Sequence, residues 1–179
     1  MSIKPFLEYL EKHQSDRGLF ADLRHGFSEG TEYRAWPHIA RFGCNLEDTR
    51  DRKIWTTIAA GFAIHKKTVG VGNFGRTLNR LACEGNSQSP DEALKRNAPR
   101  FNRLLVCNSA QEVCERLPGL IRRADKENIP INFERLYWDL KMWENPEREI
   151  KIHWAAQYWN AGTGQEKGED DHVSDPNSD

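Results

Sequence analysis

Val69-Gly-Val-Gly-Asn-Phe-Gly-Arg-Thr-Leu-Asn-Arg-Leu-Ala82 separates an α/β nucleotide-binding fold from an all-helical one in this chain. Gly70, Gly72 and Gly75 spell G-x-G-x-x-G, a fingerprint that cradles a dinucleotide pyrophosphate when a buried strand precedes it and a helix follows. The helix is there: Asn73 offers a side-chain cap, and Phe74, Leu78, Leu81 and Ala82 fall at helical spacing. The strand is missing, because Phe62-Ala-Ile-His-Lys-Lys-Thr-Val69 continues a helical stripe and then turns basic. The fingerprint also needs an acidic residue about 20 positions on, at the end of a second strand. Asp91 has the distance, but it follows the turn-rich Ala82-Cys-Glu-Gly-Asn-Ser-Gln-Ser-Pro90. The stretch therefore reads as a loop entering a helix, with no dinucleotide or other cofactor. What it offers instead is Arg76 and Arg80 one turn apart beside a helix N-terminus, whose unpaired N–H groups and dipole attract phosphate.

Helical periodicity extends outward from this point in both directions. Phe6, Leu7 and Leu10 follow Pro5, and Leu19, Phe20 and Leu23 follow Asp16. Thr31 can cap a helix bearing Trp36, Ile39 and Ala40, bent or interrupted at Pro37 and ended by Gly43. From Asp48 to about His65, Ile54, Ile58, Gly61 and His65 mark a long buried helix. Ser89-Pro-Asp-Glu92 and Ser109-Ala-Gln-Glu112 are capping boxes, and Phe101, Leu104 and Leu105 mark a helix ending near Asn108. Val113, Leu117, Leu120 and Ile121 continue the next helix, which Pro118-Gly119 should kink or divide. Phe133, Leu136, Tyr137, Leu140 and Trp143 form one more stripe, and Asn145-Pro146 caps a last helix with Ile150, Trp154 and Tyr158 inward. The expected fold is all-α, about eight or nine helices in a compact bundle or two small lobes. Residues 1–164 make the helical domain.

With 30% charged and 37% hydrophobic residues the chain has the composition of a globular domain with a solvated surface. No run approaches the roughly 18 apolar residues of a membrane span. Glu8 and Glu11 break up the N-terminal apolar residues, so no signal peptide is expected and the cytoplasm is the default location. Cys44, Cys83, Cys107 and Cys114 form no C-x-x-C pair and read as reduced thiols rather than metal ligands.

A net charge of −1 conceals a strong asymmetry. Residues 50–126 hold 15 Lys and Arg against 7 Asp and Glu, whereas 165–179 hold 1 against 6. That C-terminal segment lacks aromatics and should be a disordered acidic tail. In the basic middle, Arg100 and Arg103 lie opposite Phe101 and Leu104 and have no acid four residues away; Glu112 and Arg116 do make such a pair. Unpaired arginines repel one another unless an anion arrives, which favours a phosphate backbone as partner.

Several ordered blocks resemble one family, the CasB-type small subunit of type I-E CRISPR Cascade. They are Arg17-Gly-Leu-Phe-Ala-Asp-Leu-Arg24, Ala60-Gly-Phe-Ala-Ile-His65, Phe74-Gly-Arg-Thr-Leu78, Arg100-Phe-Asn-Arg-Leu-Leu105 and Leu136-Tyr-Trp-Asp-Leu-Lys-Met-Trp143, followed by Trp154. The resemblance implies an all-helical, non-catalytic protein, two copies of which sit beside other Cascade subunits in an RNA-guided surveillance complex. It implies contact with the hybrid of CRISPR RNA and target DNA and with the displaced DNA strand, stabilising the R-loop. Carried over block by block, Arg24, Arg76, Arg100 and Arg103 are the implied backbone contacts; Lys53, Arg80, Arg122 and Arg123 join them on charge. Ala98-Pro99 departs from the Glu-Arg that the family places before its Arg-Phe pair, and Pro118-Gly119 falls in a segment that is a continuous basic helix in the family.

Two other function classes remain. An enzyme would recruit Glu134, Asp139 and His153, but no nucleophile–base pair or metal spacing accompanies them. A helical adaptor would bind protein only, through surface aromatics such as Trp138 and Trp159, with Trp143 and Trp154 in the core.

Overall fold

The computed structural model describes residues 2–65, 70–84 and 89–160, and among them nine α-helices and no strand. In chain order these are α1 (Lys4–Lys12), α2 (Arg17–Arg24), α3 (Trp36–Ala40), α4 (Thr49–Ile64), α5 (Phe74–Cys83), α6 (Pro90–Leu105), α7 (Ala110–Lys126), α8 (Phe133–Lys141) and α9 (Ile150–Asn160). Short 3-10 turns at His25–Phe27, Glu32–Arg34 and Pro146–Arg148 fill the corners. The acidic tail expected over 165–179 lies outside the described residues.

α4 is the centre. Its residues from Ile54 to Ala63 are buried without interruption, so it has no polar face beyond its first turn and must be surrounded. α7, α2 and α8 supply most of that cover, and α5 packs on α9 and α6 alongside. Buried apolar side chains from α1 through α9 make one continuous core. At its start α4 is tied to α8 by polar contacts: Asp48 caps Arg50 and Asp51, Arg50 donates to the Lys141 carbonyl at 2.8 Å, and Lys141 pairs with Asp51 at 2.8 Å.

Helix starts follow the sequence closely. Asp16, Asp48, Asn73, Ser89 and Ser109 each accept a first-turn N–H through the side chain, filling donors that a helix end leaves unpaired. Three expectations change. Thr31 caps nothing; its hydroxyl pairs with His25 at 2.9 Å, and Pro37 enters at the first turn of α3, where its missing N–H is harmless. Asn145 caps a 3-10 turn, after which Glu149 adopts a left-handed conformation and α9 begins. Pro118 and Gly119 neither kink nor divide α7, which runs through both. Val113, Cys114, Leu117, Ile121 and Ala124 are all buried along its inner face, while Pro118 and Gly119 lie on the outer side. A proline inside a helix costs about 3 kcal/mol, which burial of five inward side chains at roughly 1.5–3 kcal/mol for each large one exceeds.

The glycine motif now has a structural account. Gly72 has φ +84°, a left-handed turn that a side chain would strain. Gly75 is where α5 meets α9: a Cβ there would strike the Trp154 carbonyl oxygen and stand 2.8 Å from its carbon. Asp139, buried in α8, anchors the same region, since Trp154 Nε1 donates to its Oδ2 at 2.6 Å and Arg135 Nε to its Oδ1 at 2.9 Å. Burial raises the Asp139 pKa, and the hydrogen bond from Trp154 and the Arg135 charge offset only part of that rise.

Two glycine substitutions should act with opposite sign in urea unfolding. Gly75→Ala should destabilise by about 1–3 kcal/mol through forced separation of α5 and α9. Gly119→Ala, where a Cβ meets nothing within 4 Å, should stabilise by about 0.5–1 kcal/mol through helix propensity. Asp139 should leave a pH signature as well. Its pKa is higher in the folded state, so the native protein binds more protons between the unfolded value of 3.8 and the raised one. Stability of the native sequence relative to Asp139→Asn should therefore fall as pH rises through that window and level off above it; parallel curves would show that Asp139 does not titrate as described.

Candidate nucleic-acid interface

α6 buries Ala93, Leu94, Phe101 and Leu104 on one side. Arg96, Arg100 and Arg103, at i, i+4 and i+7, therefore share the opposite, exposed side. On α7, with Leu117 and Ile121 committed to the core, Arg116, Gly119, Leu120 and Arg123 turn toward that stripe. Two adjoining hollows of about 580 and 500 Å³ lie between them. The first is lined by Arg96, Asn97, Pro99, Arg100, Arg103 and Arg123, and the second by Arg100, Arg103, Leu104, Arg116, Gly119, Leu120 and Arg123. Among the described residues, five arginines line this groove and no acidic residue does.

The arginines differ in what holds them. Arg123 is fixed: its guanidinium pairs with Glu127 at 2.8 Å and donates to the Leu81 carbonyl at 2.8 Å and to Asn97 Oδ1 at 3.4 Å. It works as a tie between α7 and the α5–α6 pair, with its charge already answered in part. Arg116 donates to the Glu112 carbonyl at 2.9 Å. The side-chain pair expected between Arg116 and Glu112 does not form, because the Glu112 carboxylate accepts the Asn108 N–H at 3.0 Å as part of the α7 cap. The guanidinium groups of Arg100 and Arg103 are exposed, with neither a hydrogen bond nor an ion pair to other described residues. They present a full charge and all their donors to whatever enters.

The remaining sequence candidates lie elsewhere. Arg76 is exposed on α5, and Arg80 pairs with Glu84 at 2.6 Å. The N-terminus of α5 is closed to anions: Asn73 and Gly75 are buried, the Asn73 N–H goes to Gln157 Oε1 at 2.7 Å, and the Gly75 N–H to the Asn73 side chain at 2.9 Å. Sequence spacing showed the cap there, but not that α9 lies over it. Arg24 donates to the Ala63 carbonyl at the end of α4 at 3.2 Å, and Arg122 lies 5.5 Å over the Phe27 ring. These two flank the His25–Phe27 turn, on the other side of α7 from Arg123. Lys53 lines a mixed hollow with Glu29, Glu32, Glu115 and Arg52. Arg96 and Arg116 join the groove without having been singled out. Arg96 stands four residues before Arg100, a signal that was available in the sequence.

Of the three acid–base candidates, Asp139 is buried and held in structural contacts, whereas Glu134 is half-buried and His153 exposed. Asp139 holds Trp154 and Arg135, and buried His65 meets the Ile129 carbonyl through Nε2. Burial pushes the Cys44 and Cys114 thiols up to about 12, which makes them unreactive. Trp143 and Trp154 are core residues, and Trp138 and Trp159 are exposed. Among the described residues no helix is long and apolar enough to cross a membrane.

The model of the family CRISPR-associated protein Cse2 matches residues 20–159. A CRISPR-associated protein Cse2 of Thermus thermophilus is 28% identical over 168 residues, which span 90% of this chain and 92% of that protein. The crystal structure of a Cse2-family CRISPR-associated protein from the same organism matches with a TM-score of 0.68 at 25% identity, covering 89% of this chain and 99% of that one. A second crystal structure, of CasB from Thermus thermophilus, gives a TM-score of 0.66 at 24% identity over the same shares and bears on the fold alone. The five sequence blocks, the all-helical fold of the described residues and these matches agree: the chain belongs to the Cse2 family of CRISPR-associated proteins.

Proposed function

We propose that this chain is a non-catalytic Cascade subunit that grips nucleic-acid backbone through the α6–α7 groove. Paired with a second copy of itself, it holds the target DNA of the RNA–DNA hybrid and the displaced strand, stabilising the R-loop in the cytoplasm during antiviral defence. One observation carries this reading: Arg100 and Arg103 stand exposed on a wall that faces Arg116 and Arg123, their guanidinium groups unpaired and no described acid between them. Planar guanidinium groups with free donors suit phosphate, and such contacts are indifferent to sequence. In RNA-guided recognition base pairing reads the sequence, so a subunit that supplies backbone electrostatics alone is sufficient. Arg24 and Arg122 offer a second, smaller basic surface across α7 for the other strand, and Arg76, Arg80 and Lys53 contribute through the general field.

A protein-only adaptor is favoured by a different feature. Ile152, Ala156 and Trp159 form an exposed apolar stripe along α9, with Ile152 60% and Trp159 43% accessible. That stripe suits contact with another subunit and is compatible with a basic groove on α6 and α7.

Arg100→Glu with Arg103→Glu, assembled into Cascade, separates the two readings. Target affinity should fall by about tenfold or more for each charge-assisted hydrogen bond removed, while helical content and complex assembly stay unchanged. Normal target affinity in the double variant, together with failed assembly in Trp159→Ser, would instead make the chain an adaptor.

A further inference from the structure

Beyond Asn160 the chain continues through residues 161–179, and its 165–179 portion carries six acids against Lys167, a net charge of −5. The end of α9 lies beside the groove. Two residues before the helix ends, Tyr158 stacks on Phe101 of α6 with ring centroids 4.1 Å apart and donates its hydroxyl to the Leu94 carbonyl at 2.9 Å. Tyr158 also lines a small hollow with Arg100 and Arg123. From Asn160, the acids Glu166 to Asp171 lie within a chain length whose root-mean-square span is roughly 13–18 Å. The stripe from Arg96 to Arg103 extends only about 10 Å along its helix. Reach, proximity and charge therefore coincide.

We infer that the acidic segment 165–179 docks on the α6–α7 groove of its own chain, its carboxylates pairing with Arg100 and Arg103. Each exposed carboxylate–guanidinium pair is weak, but the tether supplies an effective concentration in the millimolar range. Such a contact excludes weak, adventitious polyanions and gives way to a strand presenting many phosphates at once. The docking needs only the groove; its displacement by nucleic acid rests on the function proposed above.

The test uses the full chain beside a full-chain variant carrying Glu166→Gln, Glu169→Gln, Asp170→Asn and Asp171→Asn. Phenylglyoxal modification at low salt is followed arginine by arginine, with Arg17 and Arg148 as internal references. Arg100 and Arg103 should react about three- to tenfold faster in the variant, with the references unchanged and the difference lost at about 0.5 M salt. Equal rates at Arg100 and Arg103 overturn the inference, as does protection that falls on Arg24 and Arg122 instead. Protection that grows with protein concentration also overturns it, because a second copy's segment is then the occupant. Adding single-stranded DNA to the variant tests the other reading by itself: no DNA-dependent protection of Arg100 and Arg103 counts against nucleic-acid binding and leaves the docking result as it stands.

Discussion

A sixteen-residue helix buried on every side beyond its first turn, Thr49–Ile64, sets the terms for everything else in this fold. Such a helix is stable only when neighbours remove its whole surface from water, at roughly 25 cal/mol for each Å² of apolar area covered. α7, α2 and α8 meet that requirement, and each commits its apolar stripe inward to do so. The polar tie between the start of α4 and the end of α8 fixes their register. Largely buried Asp51 takes the Asn45 N–H at 2.8 Å and the Lys141 ammonium at 2.8 Å, so its charge is matched by a half-buried partner.

The groove is a consequence of those commitments. α7 faces α4 with Leu117 and Ile121, and α6 faces α5 and α9 with Leu94, Phe101 and Leu104, so the arginines of both helices are left facing one another. Like charges about 8 Å apart in water repel by only about 0.5 kcal/mol, which the packing beneath them easily outweighs. The fold therefore tolerates several arginines gathered along one groove. Arg123 is neutralised by a near acid, Glu127, and it also joins α7 to α5 and α6. Neighbouring arginines along the groove thus differ in how many protein partners each one has.

Much of this was legible in the sequence, for identifiable reasons. Side-chain caps and the 3.6-residue stripes are local signals, and Asp16, Asp48, Asn73, Ser89 and Ser109 start helices where they should. What the sequence hid was decided by distant packing. Pro118 stays helical because the inner face of α7 holds it there, and the glycine motif serves the close approach of α5 to Trp154, almost eighty residues away in the chain. Arg122 and Arg123 are adjacent in sequence yet fall on different sides of α7, one over Phe27 and the other against Leu81. A count of charges joins them; the helix separates them. Arg100 and Arg103 lie on the exposed face of α6, where their spacing relative to Phe101 and Leu104 places them.

If Arg100 and Arg103 answer phosphate charge, the dependence of target binding on ionic strength carries their signature. Each phosphate neutralised by a protein cation adds roughly 0.7–0.9 to the slope of log affinity against log salt. Cascade assembled with Arg100→Gln and Arg103→Gln should bind its target with a slope shallower by about 1.4–1.8 than Cascade with the native chain. An unchanged slope would mean that these two guanidinium groups release no counterions when the target is bound, and so do not meet its phosphates.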